Sequence, residues 1–494
     1  MNNSRKFALC SLFCCLLVAP AAFSQDRAVL PNTPHSGGFL MAKAIQTGQV
    51  QLPGRQGGKA VGINSTCSPA PCALPAVDAA EGGSTPVNET TVVVNPLNSN
   101  QLMSGGNDYN CASLQGVFNS DDGGATWRHG CLNLIAGRTG AGDVVLGYDR
   151  HGNAYAGGID ANAFFTTGVI ATEKSLDNGL TWTVPRAAVQ NILGGLTDKP
   201  WMEIDTNATS PHVNSVYIST TQFASNSDSQ ISVSHSSNGI NWTTIGVSTR
   251  AIFPDVNQFS DLAVGRDGTV YLSWMRCSAN GPTGDCGGTV AKMMFSKSSD
   301  GGNTWSAESQ INTVNIAPDS CGAFYGCIPG TSERVSNIPV IAVDASKGSR
   351  SGQLYVIEYN YASPLMKVQV VSSKNGGATW GAPVSPASSS THDQFFPWIN
   401  VNASGAVGAT WLDRRFDPAN FSYDAIAAVS NDGANYGPNV RTSPTSSSPS
   451  NDGFGGGFMG DYDTNYWSGA TLYEAWTDTT TGTAQDFVGG YRRR

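Results

Sequence analysis

The chain has 494 residues, and its formal net charge is −9. Charged residues make up 13% of it, about half of the share that is usual in globular proteins. The 57 glycines and the scarcity of charged helix formers favour strands and turns over helices. An acidic chain without a basic run argues against nucleic acid as a partner.

The first 24 residues have the pattern of an export signal. Arg5 and Lys6 precede an apolar run over residues 7–23, and Ala22-Phe23-Ser24 forms a small-x-small cleavage site. The run is too short for a membrane span, and no later apolar segment is long enough. We therefore expect a secreted or periplasmic protein, without membrane insertion and monomeric.

Two regions follow the signal. Residues 25–84 are rich in Gly, Pro, Ser and Gln and have little apolar periodicity. This composition predicts a linker or a loosely packed leader. Residues 85–494 are interpreted as a single domain.

Eight cysteines remain after the signal, and they form four close pairs along the sequence. An even number in an exported chain favours disulfides over metal binding. No pair has the Cys-x-x-Cys spacing and no histidine cluster accompanies them, so neither a metal nor a cofactor is expected. The candidate disulfide pairs are Cys67/Cys72, Cys111/Cys131, Cys277/Cys286 and Cys321/Cys327.

An eight-residue pattern, Ser-x-Asp-x-Gly-x-Thr-Trp, recurs along the domain. Its closing aromatic residues are spaced by 55 to 75 residues, a period that suits one four-stranded sheet with its loops. A short Asp or Asn can accept backbone N–H bonds across a tight hairpin, and the following Gly can take a positive φ. The copies lie at residues 120–127, 175–182, 298–305 and, with Asn375 in place of Asp, 373–380, and two eroded copies end at Trp242 and Tyr436.

This repeat resembles the Asp-box (BNR repeat) of the sialidase-like β-propellers. The resemblance covers the chain from about residue 85 onward and implies an all-β propeller of four-stranded antiparallel blades. Six boxed units and three further strands after residue 460 favour seven blades, the last one completed by an N-terminal strand. Six blades, the number familiar from sialidases, is the alternative. In that family the boxes lie away from the active site.

The propeller topology predicts which side chains share one face. The innermost strand of each blade begins where the second strand ends, and the box turns lie on the opposite face. Aromatic, carboxylate and arginine side chains that converge on one face are typical of a sugar site. Beginnings of innermost strands supply Glu89, Asp198, Lys199, Trp201, Asp261, Trp398, Asp461 and Tyr462. Ends of second strands supply Arg276, Glu358, Tyr359, Asp413, Arg414 and Arg415.

The leading hypothesis is a glycoside hydrolase that uses two carboxylates across this face on an acidic, sialic-acid-like sugar. Asp413 or Glu358 is the candidate base or stabiliser, and Asp261 or Asp461 is the candidate acid. The remaining candidates are Tyr462 in catalysis and Arg276, Arg414, Arg415, Tyr359 and Trp398 in substrate binding.

The chain departs from sialidases at one motif. Their first arginine lies in Phe/Tyr-Arg-Ile-Pro, whereas the similar sequence here is Ser336-Asn337-Ile338-Pro339, late in the chain and with Asn in the arginine position. Two alternatives therefore stay open. One is a non-catalytic propeller that binds a glycan or a protein. The other is a propeller-fold polysaccharide lyase, in which His392 or a tyrosine such as Tyr462 abstracts the proton α to a uronate.

Overall fold

A computed structural model describes residues 27–52, 71–81, 85–389 and 391–493. The predicted export signal and Cys67 lie outside the described residues. Within these ranges, the regular structure is 28 strands, one α-helix and one short 3₁₀-helix. None of the described helices is long and apolar enough to cross a membrane.

The strands form seven antiparallel sheets arranged as propeller blades, which confirms the predicted fold class. In blades 1 to 6 the strands follow one another outward in chain order from an innermost strand. Blades 1 to 3 contain β2 (Val87–Val94), β3 (Leu102–Asp108), β4 (Gly116–Ser120) and β5 (Arg128–Cys131); β6 (Thr139–Gly140), β7 (Val145–Tyr148), β8 (Ala154–Ala161), β9 (Gly168–Ser175) and β10 (Arg186–Val189); and β11 (Thr197–Ile204), β12 (Val216–Phe223), β13 (Ser229–Ser236) and β14 (Thr243–Gly246).

Blades 4 to 6 follow the same plan. In blade 5 the fourth position is a single bridge between Val370 and Val384. These blades contain β15 (Asp255–Val264), β16 (Val270–Ser278), β17 (Val290–Ser298) and β18 (Ser309–Asn315); β19 (Val340–Val343), β20 (Leu354–Ala362) and β21 (Leu365–Ser373); and β22 (Gln394–Val401), β23 (Val407–Asp413), β24 (Asp424–Ser430) and β25 (Val440–Arg441).

Blade 7 joins the two ends of the domain. Its three inner strands are β26 (Thr464–Ser468), β27 (Thr471–Asp478) and β28 (Gln485–Arg492), and its outer strand is β1 (Cys72–Asp78). β1 pairs antiparallel with β28. The ring is therefore closed by an N-terminal strand, as predicted, so that the last sheet is completed from the other end of the chain.

The repeated pattern folds as a tight turn on the face where the innermost strands end. In the first copy, Asp122 accepts the Thr126 backbone N–H at 2.9 Å and its hydroxyl at 2.6 Å. Gly123 and Gly124 have φ of 79° and 89°, which favours glycine. The Trp127 indole donates to the Gly124 carbonyl at 3.0 Å and its ring is buried. The turn thus fixes the outer hairpin of its blade.

Four innermost strands carry a bulge near their beginning. The strand register shifts between Asn88 and Thr91 in β2 and at the equivalent places in β11, β15 and β22. Such bulges bend a strand and redirect a side chain. At each bulge a non-glycine residue has a left-handed φ near 50–60°, and these residues are Glu89, Lys199, Phe259 and Phe396.

Three of the four predicted cysteine pairs are disulfides. They are Cys111–Cys131, Cys277–Cys286 and Cys321–Cys327. Cys72 is also disulfide-bonded, and Cys67 lies outside the described residues.

The leader differs from the expectation of loose packing. Residues Gly37–Gln46 form helix α1, which Ser36 caps by accepting the Phe39 N–H. Phe39, Leu40, Met41 and Ala42 of α1 are buried in the largest hydrophobic cluster. The other helix is η1 (Pro449–Asn451). The low apolar content of residues 25–84 as a whole concealed this short apolar run.

Candidate functional site

Four carboxyl groups meet where the innermost strands begin, at the mouth of the ring, which we call the funnel. They come from blades 1, 2, 3 and 7, and all four residues are fully buried. Burying several carboxyls together is costly unless protons or cations compensate for them. The four residues are Glu89, Asp143, Asp198 and Asp461.

Glu89 and Asp143 form a carboxyl pair. Burial, reinforced by the charges of Asp143 and Asp461, raises the pKa of Glu89 well above its usual value. Burial and the charge of Asp198 raise the pKa of Asp143 to about 6. Within the described structure no N–H or hydroxyl group donates to either carboxyl oxygen of Asp143. The side chains of Glu89 and Asp143 are close enough to hydrogen-bond, and two carboxyl groups can do so only by sharing a proton.

Asn107 positions this pair. Its amide nitrogen donates to Glu89 Oε2 at 2.9 Å, and its amide oxygen accepts the Asp143 backbone N–H at 2.6 Å. One side chain at the end of β3 therefore orients two carboxyls that begin neighbouring blades.

Asp461 has a cationic partner. Arg334 forms an ion pair with it: Nη2 donates a hydrogen bond to Oδ2 at 3.1 Å, and Nε lies 2.8 Å from Oδ1. Both side chains are buried. The Asp461 backbone N–H also donates to Glu89 Oε1 at 3.2 Å. The protonated pair and the ion-paired carboxylate are thus neighbours.

Aromatic rings lie beneath the carboxyls and form what we call the floor: Trp201, Trp398 and Tyr462. The centroids of the two indoles are 4.4 Å apart, and Tyr462 lies 6.0 Å from Trp201. Lys199 places its ammonium 3.6 Å from the Tyr462 ring centre, a cation–π contact. The charge of Lys199 also lowers the pKa values of Glu89 and Asp143, against the larger effect of burial.

Below the floor lies an axial channel of about 380 Å³, lined by the middle and later residues of the innermost strands. Asp261 lines this channel, and its Oδ2 accepts the Ile341 N–H at 2.7 Å. Burial raises the pKa of Asp261 to about 7, and burial together with Asp261 raises the pKa of the nearby Glu203 to about 8. Asp261 follows the bulge of β15 as Trp201 follows the bulge of β11, so it lies level with the floor, and burial rather than the funnel carboxyls raises its pKa.

The leader occupies the funnel. Ser36 donates its backbone N–H and its hydroxyl to the two oxygens of Asp198, at 2.7 and 2.6 Å. The Gly37 N–H donates to Asp461 Oδ2 at 2.8 Å. A Cβ on Gly38 would lie 2.3 Å from Asp143 and 2.7 Å from Glu89. Only glycine permits this approach of the helix to the carboxyl pair.

The three predicted arginines do not lie free in the funnel, which corrects the expected carboxylate clamp. Arg276 makes a two-point ion pair with Glu308 at 2.8 and 2.9 Å on the flank of blade 4. Arg414 is fully buried against Asp393 and the Pro329 carbonyl. Arg415 pairs with Asp413 at 2.5 Å. These guanidinium groups form ion pairs and hydrogen bonds with neighbouring segments of the fold.

The three other second-strand candidates are buried in contacts within and between blades. The Glu358 carboxylate accepts bonds from Asn312 and Gln369, and burial raises its pKa to about 7. Tyr359 is buried, and its hydroxyl oxygen accepts the Ala317 N–H at 3.4 Å. Asp413 accepts the Trp411 indole N–H at 2.8 Å. Among the predicted site residues, the structure brings together Asp461, Tyr462 and Trp398.

Two funnel residues were missed. Asp143 precedes β7 and follows a glycine, so the rule that located Glu89 and Asp198 also applies to it. Arg334 lies in the long connection between β18 and β19, where strand periodicity predicts nothing. The leader contacts were missed as well, although Ser36 followed by a Gly-Gly-Phe-Leu-Met run is a helix-start signal.

Comparisons with known proteins give distant likenesses. No protein-family model and no curated protein matches the chain. A solved "Hadza microbial sialidase Hz136" has 12% identity and a TM-score of 0.45 over 71% of this chain, which spans 65% of the length of that sialidase. An α-L-arabinanase from Penicillium chrysogenum has 10% identity and a TM-score of 0.44, over 89% of this chain and 99% of its own. A GH93 α-L-arabinofuranosidase from Fusarium graminearum has 11% identity and a TM-score of 0.43, over 71% and 92%.

Proposed function

We propose that this chain is an exported propeller that hydrolyses glycosidic bonds in the funnel. The observation that carries the proposal is the Glu89–Asp143 pair, which keeps a proton in mildly acidic conditions, beside the ion-paired carboxylate of Asp461. Glycoside hydrolysis needs a carboxylic acid and a carboxylate near one bond. The three disulfides fit an exported protein.

The residues have separate roles in this proposal. The protonated member of the Glu89–Asp143 pair donates its proton to the glycosidic oxygen as the bond breaks. The Asp461 carboxylate stabilises the positive charge that develops on the sugar, or activates water against it. Trp201 and Trp398 offer rings on which a sugar can stack.

The proposal replaces the expected assignment of Asp413, Glu358 and Asp261 as acid or base. Asp413 and Glu358 are buried in other contacts, and Asp261 lies level with the floor, where its carboxylate accepts the Ile341 N–H. The proposal also omits the arginine clamp for an acidic sugar, because ion pairs or buried contacts occupy Arg276, Arg414 and Arg415.

The test compares two carboxyl variants on a panel of neutral and sialylated nitrophenyl glycosides, using the intact chain and protein from which residues 27–52 have been released. Glu89→Gln should lower kcat by about 10² or more, as expected for losing a general acid. The matched control, Glu203→Gln, changes a half-buried carboxyl that lines the channel below the floor and should keep the rate. Equal rates for Glu89→Gln and the unmodified sequence, both with residues 27–52 released, would contradict the proposal. Glycan binding without any product would favour the non-catalytic alternative.

A further inference from the structure

The leader and any funnel ligand need the same atoms. Asp198 and Asp461 accept their hydrogen bonds from Ser36 and Gly37, and Gly38 lies against Glu89 and Asp143. We call residues 27–52 the plug. While the plug is in place, no sugar can reach the carboxyl groups of the proposed reaction.

The blades do not need the plug to form a ring. Blade 7 is completed by β1, which follows the plug in sequence, and its pairing with β28 closes the ring. The plug lies on the mouth of this ring and adds no strand to any sheet. Its contacts are therefore those of an occupant of the funnel.

A loop before blade 7 holds the plug in place. Asp452 accepts the backbone N–H groups of Phe454, Gly456, Gly457 and Phe458, which fixes the loop. The loop then accepts the Ala28 N–H at the Phe454 carbonyl, 2.8 Å away. A Cβ on Gly37 would lie 2.1 Å from the Phe458 ring, so the plug and the loop are in tight contact.

The contacts of the plug indicate the chemistry that the funnel recognises. Ser36 presents two adjacent donors to the two oxygens of Asp198, as neighbouring sugar hydroxyls would. The plug also presents acceptors: the Pro34 carbonyl accepts from Gln258 and Tyr325, and the His35 carbonyl accepts from Arg334. The plug brings no carboxylate or phosphate, and four protein carboxyls surround it.

We propose that the plug is a built-in inhibitor that occupies the ligand site, and that the site takes a neutral, hydroxyl-rich glycan. This inference rests on the proposed function for the identity of the site. It adds that the intact chain is closed and that an acidic sugar is disfavoured, since the Asp198 and Asp461 carboxylates would repel it.

The experiment releases the plug from the folded protein. A site-specific protease sequence is inserted at residue 57 of the full chain, and the purified protein is cut. Gly38→Ala places a methyl group against Asp143 and should weaken retention of the cut plug by about tenfold or more. Gln46→Ala, at an exposed position of the same helix, is the matched control and should retain the plug normally. Retention is measured with a labelled peptide of residues 27–52 and its two variants.

Ligand binding is measured on an array of neutral oligosaccharides together with their sialylated and uronic-acid counterparts. Neutral oligosaccharides should bind the cut Gly38→Ala protein and displace the labelled peptide, while the uncut chain should bind about tenfold or more weakly. Equal binding to the cut and uncut proteins would overturn the inference, and so would a preference for the acidic counterparts. Peptide rebinding that no oligosaccharide displaces would also overturn it.

The two proposals fail in different ways. If neutral oligosaccharides displace the peptide but none is cleaved, the inhibitory plug stands and the proposed hydrolysis is wrong. If the cut protein cleaves glycans no faster than the uncut chain, hydrolysis stands and the plug is not an inhibitor.

Discussion

Aspartate side chains lie in opposite environments on the two faces of the ring. In the box turns, Asp300 is half-buried and surrounded by donors: the Thr304 backbone N–H and hydroxyl, and Ser298. These hydrogen bonds lower the pKa of Asp300 to about 2. In the funnel, Asp143 is buried without a donor for its carboxyl oxygens in the described structure, and burial raises its pKa to about 6.

This contrast separates architecture from chemistry. A carboxylate that accepts several local hydrogen bonds stabilises a turn, and because these bonds lower its pKa it stays ionised. A carboxyl deprived of donors and placed beside like charges is poised to exchange one. The repeated carboxylates of this chain are of the first kind, and the funnel carboxyls are of the second.

The largest expected effect on stability concerns the box face, the face of the ring that carries the box turns. Trp127→Ala removes a buried indole and should lower the free energy of unfolding by about 3–5 kcal/mol, measured by urea denaturation. Trp305 closes an equivalent turn but is only partly buried, so Trp305→Ala should cost less. Equal losses at the two positions would show that burial of the indole is not what stabilises the turns.

The second prediction concerns the funnel and its dependence on pH. Because the folded-state pKa of Asp143 is raised from 3.8 to about 6, the native chain retains a proton that the unfolded chain loses. This contribution to stability is full below pH 3.8 and is lost as the pH rises through 6. Asp143→Asn has no such proton, and Asn tolerates the left-handed φ of 55° at this position.

Urea unfolding at pH 4, 5, 6 and 7 checks this prediction. Asp143→Asn should flatten the fall in stability between pH 4 and 6 by about 1–3 kcal/mol, the equivalent of roughly one to two pKa units. Asp255→Asn, at an exposed position at the beginning of β15, is the control and should keep the normal slope. If the free energy of unfolding of Asp143→Asn fell with pH as steeply as that of the unmodified chain, Glu89 and Asp143 would not share a proton.

The sequence predicts the box turns more completely than it predicts the funnel. The box turns are local, with donor and acceptor within five residues, so the repeat predicted the blades, their number and the N-terminal closing strand. The funnel is assembled from residues far apart in sequence, such as Glu89 and Asp461. The rule for strand ends located Asp461, Tyr462 and Trp398, but it also selected Arg414 and Glu358, because it does not distinguish a buried contact from an open one. Arg334 and the plug reach the funnel from irregular segments, for which no periodicity exists.

The smallest effect tests the box face with a replacement that the chain already contains. In the fourth copy, Asn375 accepts the Thr379 N–H at 2.9 Å and donates to its hydroxyl at 2.8 Å, so Asn preserves both contacts. Asp300→Asn should therefore change the free energy of unfolding at pH 7 by less than about 1 kcal/mol, since Asn keeps both contacts with the threonine. The lowered pKa of Asp300 gives stability that is present above pH 3.8 and is lost as the pH falls through about 2. Acid titration followed by circular dichroism should show that this part of the loss disappears in Asp300→Asn. A large loss at pH 7 would mean that the charge of the box carboxylate, rather than its hydrogen-bond geometry, holds the turn.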